Sequence, residues 1–310
     1  MNVGPRLALA VALLVASGLA WAPEAVGTDR ASASQGPETP SSATSLLQRV
    51  RDNLAKDDLL DQQYSYRVHR RTYQVSFLGK VTNDVERVYD VAPSPADPAV
   101  MYSRPVSVGG RALTTEELRA HDETHRRQVE RDLDQQRRES SSERADRLRA
   151  DSRRERERRA QIDDAIRVYR FEPAGYEMVD GQQLRVVTVE PRPDARTQSN
   201  MGKQMKKGRG RAWVYEPDAQ LVKIEMQLTD TVMLGLGVIG HVDAGSRMLY
   251  RRERLPDGTW VPVEARFVGT GATLLFRPFS IETWARYTDY RRLDPGAATE
   301  AGAGRAAGNR

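Results

Sequence analysis

The chain has 310 residues, enough for one large domain or two small ones. Its 48 basic and 43 acidic residues are largely interleaved and leave a formal net charge of only +5, so the one-sided basic stripe of a nucleic-acid binder is missing. Charged residues make up 29% and cysteine is absent, which excludes a disulfide framework and leaves no cysteine for lipid attachment. Much of the charge sits in one segment, so the remainder can still bury an ordinary core.

The first 27 residues read as an export signal. Arg6 supplies the positive end, Leu7 to Ala20 the apolar stretch, and Ala20-Trp21-Ala22 or Ala25-Val26-Gly27 the small-residue cleavage pattern. The apolar run falls short of the ~20 residues that span a bilayer, and no later segment qualifies. Residues 28–45, rich in Ser, Ala, Pro and Thr, are expected to be a disordered leader.

Thr44 or Ser45 then starts a helix to about Asp61, with Leu46, Leu47, Val50 and Leu54 on one face to cover a sheet. Tyr64 to Val91 alternates as a hairpin turning at Gly79-Lys80. Val100 to Val108 is a shorter strand, kept near an edge by Pro105. Gly109-Gly110 turns the chain into a helix capped by Thr114, with Glu117 completing a capping box. From residue 114 to 165 the chain is almost all Arg, Glu, Asp and Gln, with Ser140-Ser141-Ser142 as its weak point. This is a long charged helical insertion, of coiled-coil-like composition, formed as one rod or as two arms.

The sheet resumes with Arg167 to Phe171 and Gln183 to Glu190, and Pro191 to Lys207 reads as a polar loop. Residues 208–293 read as sheet throughout. Val222, Ile224, Met226 and Leu228 alternate with Lys223, Glu225 and Gln227; Val261, Val263, Ala265 and Phe267 alternate with Pro262, Glu264 and Arg266. Tight turns between such runs leave no room for crossover helices, so the pairing is an antiparallel meander. The Gly/Ala-rich residues 294–310 are expected to be a disordered tail.

No nucleophile elbow, Ser-His-Asp set or supported carboxylate pair is present, so an enzyme is not expected. His121 and His125 share a helix face at metal-ligand spacing, but neither a third ligand nor the metalloprotease glutamate accompanies them. No metal or cofactor is expected. The most apolar window, Thr231 to Gly240, is either a pair of buried strands with glycines at a sharp curve or the mouth of an apolar groove.

The order of features resembles a known family. Gly109-Gly110-Arg111-Ala112-Leu113 leads into the charged helix, and that into Arg167-Val168-Tyr169-Arg170-Phe171. Gly210-Arg211-Ala212-Trp213-Val214, Leu221-Val222-Lys223-Ile224-Glu225, Asp257-Gly258-Thr259-Trp260-Val261-Pro262 and Tyr287-Thr288-Asp289-Tyr290-Arg291 follow. This resembles exported bacterial proteins of the outer-membrane lipoprotein-sorting, LolA/LolB-like superfamily, over residues 46–293 and with a helical insertion those carriers lack. The resemblance implies an α+β fold: a curved antiparallel half-barrel closed on its concave side by helices. It also implies a periplasmic, non-enzymatic binder of a lipid or lipoprotein acyl chain. The expected wall of the apolar groove is Val222, Ile224, Met226, Leu228, Leu234, Leu236, Val238, Ile239, Trp260 and Trp284. The alternative is a structural or interaction module of the cell envelope, docking a protein partner through the helical arm.

Overall fold

The computed structural model describes residues 40–61, 63–76, 78–97, 100–234, 240–273 and 277–293. The expected export signal, the leader up to residue 39 and the tail lie outside them. Helix α1 spans Pro40–Asp61 and so starts before the expected cap at Thr44 or Ser45. The hairpin follows as β1 (Tyr64–Ser76) and β2 (Val81–Pro93), then β3 (Met101–Val108) and the short β4 (Arg111–Ala112).

The charged insertion forms two helices, α2 (Thr115–Arg138) and α3 (Ser141–Val168). Each begins on a complete capping box, Thr114 with Glu117 and Ser140 with Glu143. The serine cluster therefore starts a second helix: the Ser140 hydroxyl accepts from the Glu143 N–H and the Glu143 carboxylate accepts from the Ser140 N–H, two donors that a continuous helix would bond internally. The two helices pack against different partners and not along each other. Along α2 and the exposed part of α3, short-range pairs such as Glu123 with Arg126 and Arg127 hold the polar surface together.

The remaining strands are β5 (Tyr169–Val179), β6 (Gln182–Pro191), β7 (Gly208–Tyr215), β8 (Gln220–Leu228), β9 (Val232–Leu234), β10 (Gly240–Val242), β11 (Arg247–Arg254), β12 (Trp260–Thr273) and β13 (Arg277–Arg292). All pairings are antiparallel, in the order β4-β3-β2-β1-β13-β12-β11-β8-β7-β6-β5, with β10 beside β12 and β9 beside β10. The result is one large, open, curved antiparallel sheet with helices, an α+β fold as expected.

Two expectations along the chain are corrected. Residues Arg167 and Val168 complete α3 before the strand begins at Tyr169, and Val168 is fully buried. The expected polar loop 191–207 contains a short helix, α4 (Asn200–Met205), whose Met205 is buried. A helix of one to two turns gives too few apolar positions for a 3.6-residue period to show in the sequence.

The core lies on one face of the sheet and is continuous. Val50 of α1, Ala165 and Val168 of α3, and Met205 meet Val187, Val189, Ala212, Val214, Leu221, Ile224 and Tyr250. Met226 joins this cluster to Val242, Met248, Phe267, Phe279 and Ile281, and Ala265 joins it to Tyr66, Val68, Val91 and Ala285. On the other face, Leu184, Val186, Trp213, Val222 and Trp260 form a smaller cluster. Side chains of successive strand residues point to opposite faces, which separates Val187 from Val186 and Val214 from Trp213.

Candidate ligand cavity

The helix-covered face holds an apolar cavity of about 120 Å³ that is partly open to solvent. Leu47, Val50 and Leu54 of α1 form one wall, as their shared helix face predicts. Ala165 and Ile166 come from the last turn of α3, Gln204 and Met205 from α4. The sheet supplies Tyr169, Phe171, Val187, Val189, Gly208, Ala212, Val214, Leu221, Ile224, Met226, Leu228, Val232 and Met248. No lining residue is charged. A space of this size is close to that of an engineered apolar cavity of ~150 Å³ that stays dry and binds benzene.

Both covering elements are tied down by polar contacts outside the cavity. In α1, Arg51 pairs with Asp163 at 2.6 Å, Asn53 donates to the carbonyls of Asp218 and Ala219 at 2.9 and 3.0 Å, and Asp57 accepts from Arg252 at 2.9 Å. Arg252 is only 2% exposed and also donates to the Trp260 carbonyl at 2.8 Å. Removing either member of such a buried pair strands the other charge, so this contact fixes where α1 sits.

Helix α4 is held at both ends. The Asp164 carboxylate, fully buried, accepts from the backbone N–H groups of Gln198 and Ser199 and from the Ser199 hydroxyl, the last two at 2.7 Å. Ser199 in turn caps α4 by accepting from the Gly202 N–H at 2.9 Å. Burial alone would raise the Asp164 pKa, but these hydrogen bonds and the Arg167 charge outweigh it and hold the carboxyl below its ordinary value. At the other end the Tyr169 hydroxyl donates to the Met205 carbonyl at 2.6 Å, and burial raises the pKa of that phenol.

The structure divides the ten residues singled out in the sequence. Ile224, Met226 and Leu228 line the cavity. Val222 does not, although strict alternation places it with them. Opposite it, Trp213 pairs with Lys223 and Val214 with Leu221, so Val222 is the extra residue of a β-bulge. The bulge sends Val222 to the cluster around Trp213 and Trp260 and gives its place in the cavity to Leu221. Trp260 is buried in that cluster, with its indole N–H donating to Asp218 at 3.1 Å. Trp284 is half-buried on the face opposite Ala285, under the Arg286 guanidinium at 5.2 Å. Leu234 lies at the end of β9 with no side-chain description, and Leu236, Val238 and Ile239 lie outside the described residues.

Gly210 permits the close approach that lets Met226 reach the cavity. A Cβ there would lie 1.9 Å from the Glu225 carbonyl oxygen and 2.7 Å from the Met226 sulfur. The sequence reading missed Phe171, Val187, Val189, Ala212, Val214 and Met248, which were visible as alternating strand residues. It also missed Gln204 and Met205, which carried no such signal.

Of the two histidines His125 has a packing role, while His121 is exposed. The His125 ring stacks on Tyr102 at 3.4 Å between centroids, and burial lowers its pKa. Asp122, between the two histidines, accepts both arms of the Arg104 guanidinium at 2.6 and 2.7 Å. Together these contacts dock α2 along β3. Among the described residues there is no group of three or more side chains placed to hold a metal.

No protein-family model and no curated protein matches the sequence. Among solved structures, the chain is similar to a DUF1329 family protein from Desulfovibrio piger, at 10% identity over 84% of this chain and 98% of that one, with a TM-score of 0.30. It is similar to a domain described as an outer membrane lipoprotein-sorting protein from Vibrio parahaemolyticus, at 10% identity over 82% and 98%, with a TM-score of 0.29. A LolA superfamily protein from Nitrosomonas europaea gives 12% identity over 81% and 94%, with a TM-score of 0.26. At such identities and scores the likeness carries neither a family nor a role to this chain.

Proposed function

We propose that this protein binds a lipid or acyl group in the cell envelope without chemically converting it, with the apolar chain held under α1 and α4. The observation that carries this reading is a cavity whose every lining side chain is uncharged and almost all are aliphatic, aromatic or thioether. Apolar burial contributes ~0.8 kcal/mol per methylene. About four or five methylenes fill a space of 120 Å³, contributing roughly 3–4 kcal/mol. A longer chain extends beyond this space through the open side of the cavity. Among the described residues no helix is long and apolar enough to cross a membrane, and the reading places the exported chain in the periplasm.

The test is native mass spectrometry of the protein purified from its own envelope fraction without detergent, with titration by the neutral apolar dye N-phenyl-1-naphthylamine. An extractable lipid adduct, and dye binding that Ile224→Asp abolishes, are the expected results. A protein that carries no lipid and takes up no dye is not a carrier of this kind.

A second reading is favoured by one observation: α2 buries none of its residues although it is capped and docked on β3. Its solvent face is available to a protein partner. Charge reversal of Arg126, Arg127 and Arg131 removes a cross-linked partner if that reading holds, and leaves dye binding unchanged.

A further inference from the structure

We infer that Arg70 and Arg87 form an anion site on the core face of the sheet, and that it takes the phosphate-like head group of an amphiphile whose chain lies in the cavity. The inference rests on the proposed function and adds the polar end of the same ligand. Strand β1 places Arg70 directly opposite Arg87 of β2, in a ladder without a register shift from Tyr66 to Gln74. Arg70 stands two residues after Val68, and Arg87 two residues before Tyr89, so both share the face of the core cluster in which Val68 and Tyr89 pack. The Arg70 guanidinium sits over the Tyr89 ring, 5.9 Å from its centroid.

Like charges directly opposite each other destabilise a strand pair. The outer face of the same two strands is built the other way: Arg67 pairs with Asp90 at 2.8 Å and Arg71 with Asp84 at 2.9 Å. Among the described residues no carboxylate comes within ion-pair distance of Arg70 or Arg87. Both side chains are partly exposed and so accessible to a ligand. A phosphate-like anion, with several oxygens, accepts from both guanidinium groups at once and turns their repulsion into charge-assisted hydrogen bonds.

The pair is also in line with the cavity. Directly opposite neighbours across the sheet run Ile224, Tyr250, Ala265, Ala285, Arg70 and Arg87, and Ile224 lines the cavity. Four strand spacings of ~4.8 Å separate Ile224 from Arg70, roughly 19 Å along the face and the scale of a long acyl chain. The cavity lining carries no charge to receive an anionic head, so that head belongs outside it.

The experiment uses the full mature chain loaded with N-phenyl-1-naphthylamine at pH 7 and low salt, where charge is least screened. The dye is displaced with myristoyl lysophosphatidic acid or with monomyristoylglycerol, which differ only by a phosphate; binding of inorganic phosphate is measured separately by calorimetry. In the unaltered protein the lysophosphatidic acid displaces the dye at a concentration roughly ten-fold or more lower than the neutral lipid, the worth of a hydrogen bond to a charged group. In Arg70→Gln/Arg87→Gln, checked for an unchanged far-UV spectrum, this advantage falls to within about two-fold and displacement by the neutral lipid is kept. The outer-face variant Arg71→Gln/Arg266→Gln removes the same charge and keeps the advantage. Weak binding of inorganic phosphate supports a lipid head as the source of the anion. Phosphate binding as tight as that of the lysophosphatidic acid, and lost in Arg70→Gln/Arg87→Gln, keeps the anion site and overturns its assignment to a lipid head. Equal displacement by the two lipids overturns the inference and leaves the proposed function standing. So does an advantage that survives Arg70→Gln/Arg87→Gln or is lost equally in the outer-face variant. Failure of the dye and of both lipids to bind overturns both.

Discussion

Asp164 offers the sharpest test of how the cavity is covered. Replacing it with Ala removes a fully buried carboxylate that accepts from the Gln198 N–H at 2.9 Å, the Ser199 N–H at 2.7 Å and the Ser199 hydroxyl at 2.7 Å. Two backbone donors are left without an acceptor, at about 1–3 kcal/mol each. Ser199 also loses the contact that positions it as the cap of α4, a further ~1 kcal/mol. Arg167 is half-exposed and regains water, so it adds little. The expected loss for Asp164→Ala is therefore about 3–7 kcal/mol at pH 7 in urea unfolding followed by circular dichroism. Asp164→Asn keeps the volume but turns an NH₂ donor toward other donors, and falls between the two. The pH dependence has a definite sign. A carboxyl whose folded pKa is lowered stabilises fully above its unfolded value of ~3.9 and loses that stabilisation as pH falls through the folded value. The gap between the unaltered protein and Asp164→Asn is thus constant from pH 7 to 5 and shrinks below about pH 4. A loss under ~1 kcal/mol for Asp164→Ala, or a gap that ignores pH, would show that this carboxylate does not hold α4.

Four further outcomes follow from the geometry. Gly210→Ala places a Cβ 1.9 Å from a backbone oxygen, so stability falls by about 3 kcal/mol or more and the melting temperature drops with it; an unchanged melt contradicts the close approach. Ile224→Asp abolishes binding of the apolar dye, whereas Val222→Ala lowers stability by about 1–2 kcal/mol and leaves dye affinity alone; equal effects on binding would deny the bulge. In NMR titrations the Glu117 carboxyl, held by Arg111 and by the Thr114 N–H, has its midpoint at about 2, so its support of the α2 cap is lost only as pH falls through that value. His125 titrates below its ordinary 6.5 because burial disfavours the cation; its contribution to α2 docking is present above that pH and is lost as pH falls. A midpoint at or above the ordinary value would mean that the ring is not stacked against Tyr102.

The sheet was legible in the sequence because it is written in period-2 alternation and in glycine turns. Asp180 and Gly181 both adopt positive φ at the β5–β6 turn, and Gly109 and Gly110 do so before β4. The capping box at Thr114 was legible for a similar reason: its two partners lie three residues apart and need nothing distant. The cavity was only partly legible. Ile224, Met226 and Leu228 followed from alternation, and Leu47, Val50 and Leu54 from a helix face. Val222 did not, because a bulge depends on what the neighbouring strand offers, and nothing in Leu221-Val222-Lys223 marks the slip. Trp260 and Trp284 do not join them: each has an indole N–H that finds a carboxylate away from the cavity, Asp218 and Glu264. Large amphipathic rings on a sheet do not declare a face. Gln204 and Met205 were hidden among polar residues of an apparent loop, since the short helix that carries them is held by Asp164 and Tyr169, whose partners in it lie 35 and 36 positions later in the chain.

The charged insertion is best understood from where its ends attach. The chain leaves the sheet at β4, on one edge, and re-enters at β5, on the other. Antiparallel neighbours need only tight turns, but joining opposite edges of an open sheet requires a long connection across it. Helix α3 has 28 residues, about 42 Å at 1.5 Å per residue, which is the scale of such a crossing. Most of its length has no core to face, which accounts for the run of Arg, Glu and Asp. Its final turn is different: Asp164, Ala165 and Val168 are buried, and Asp163 holds α1 through Arg51. The same helix therefore carries the solvated arm and the clamp on both covering elements of the cavity. Removing residues 114–164 as a unit would take Asp163 and Asp164 with it. Loss of ligand binding after that deletion says nothing about the arm. The solvent-facing residues of α2 and the first half of α3 are the ones that can report on a partner alone.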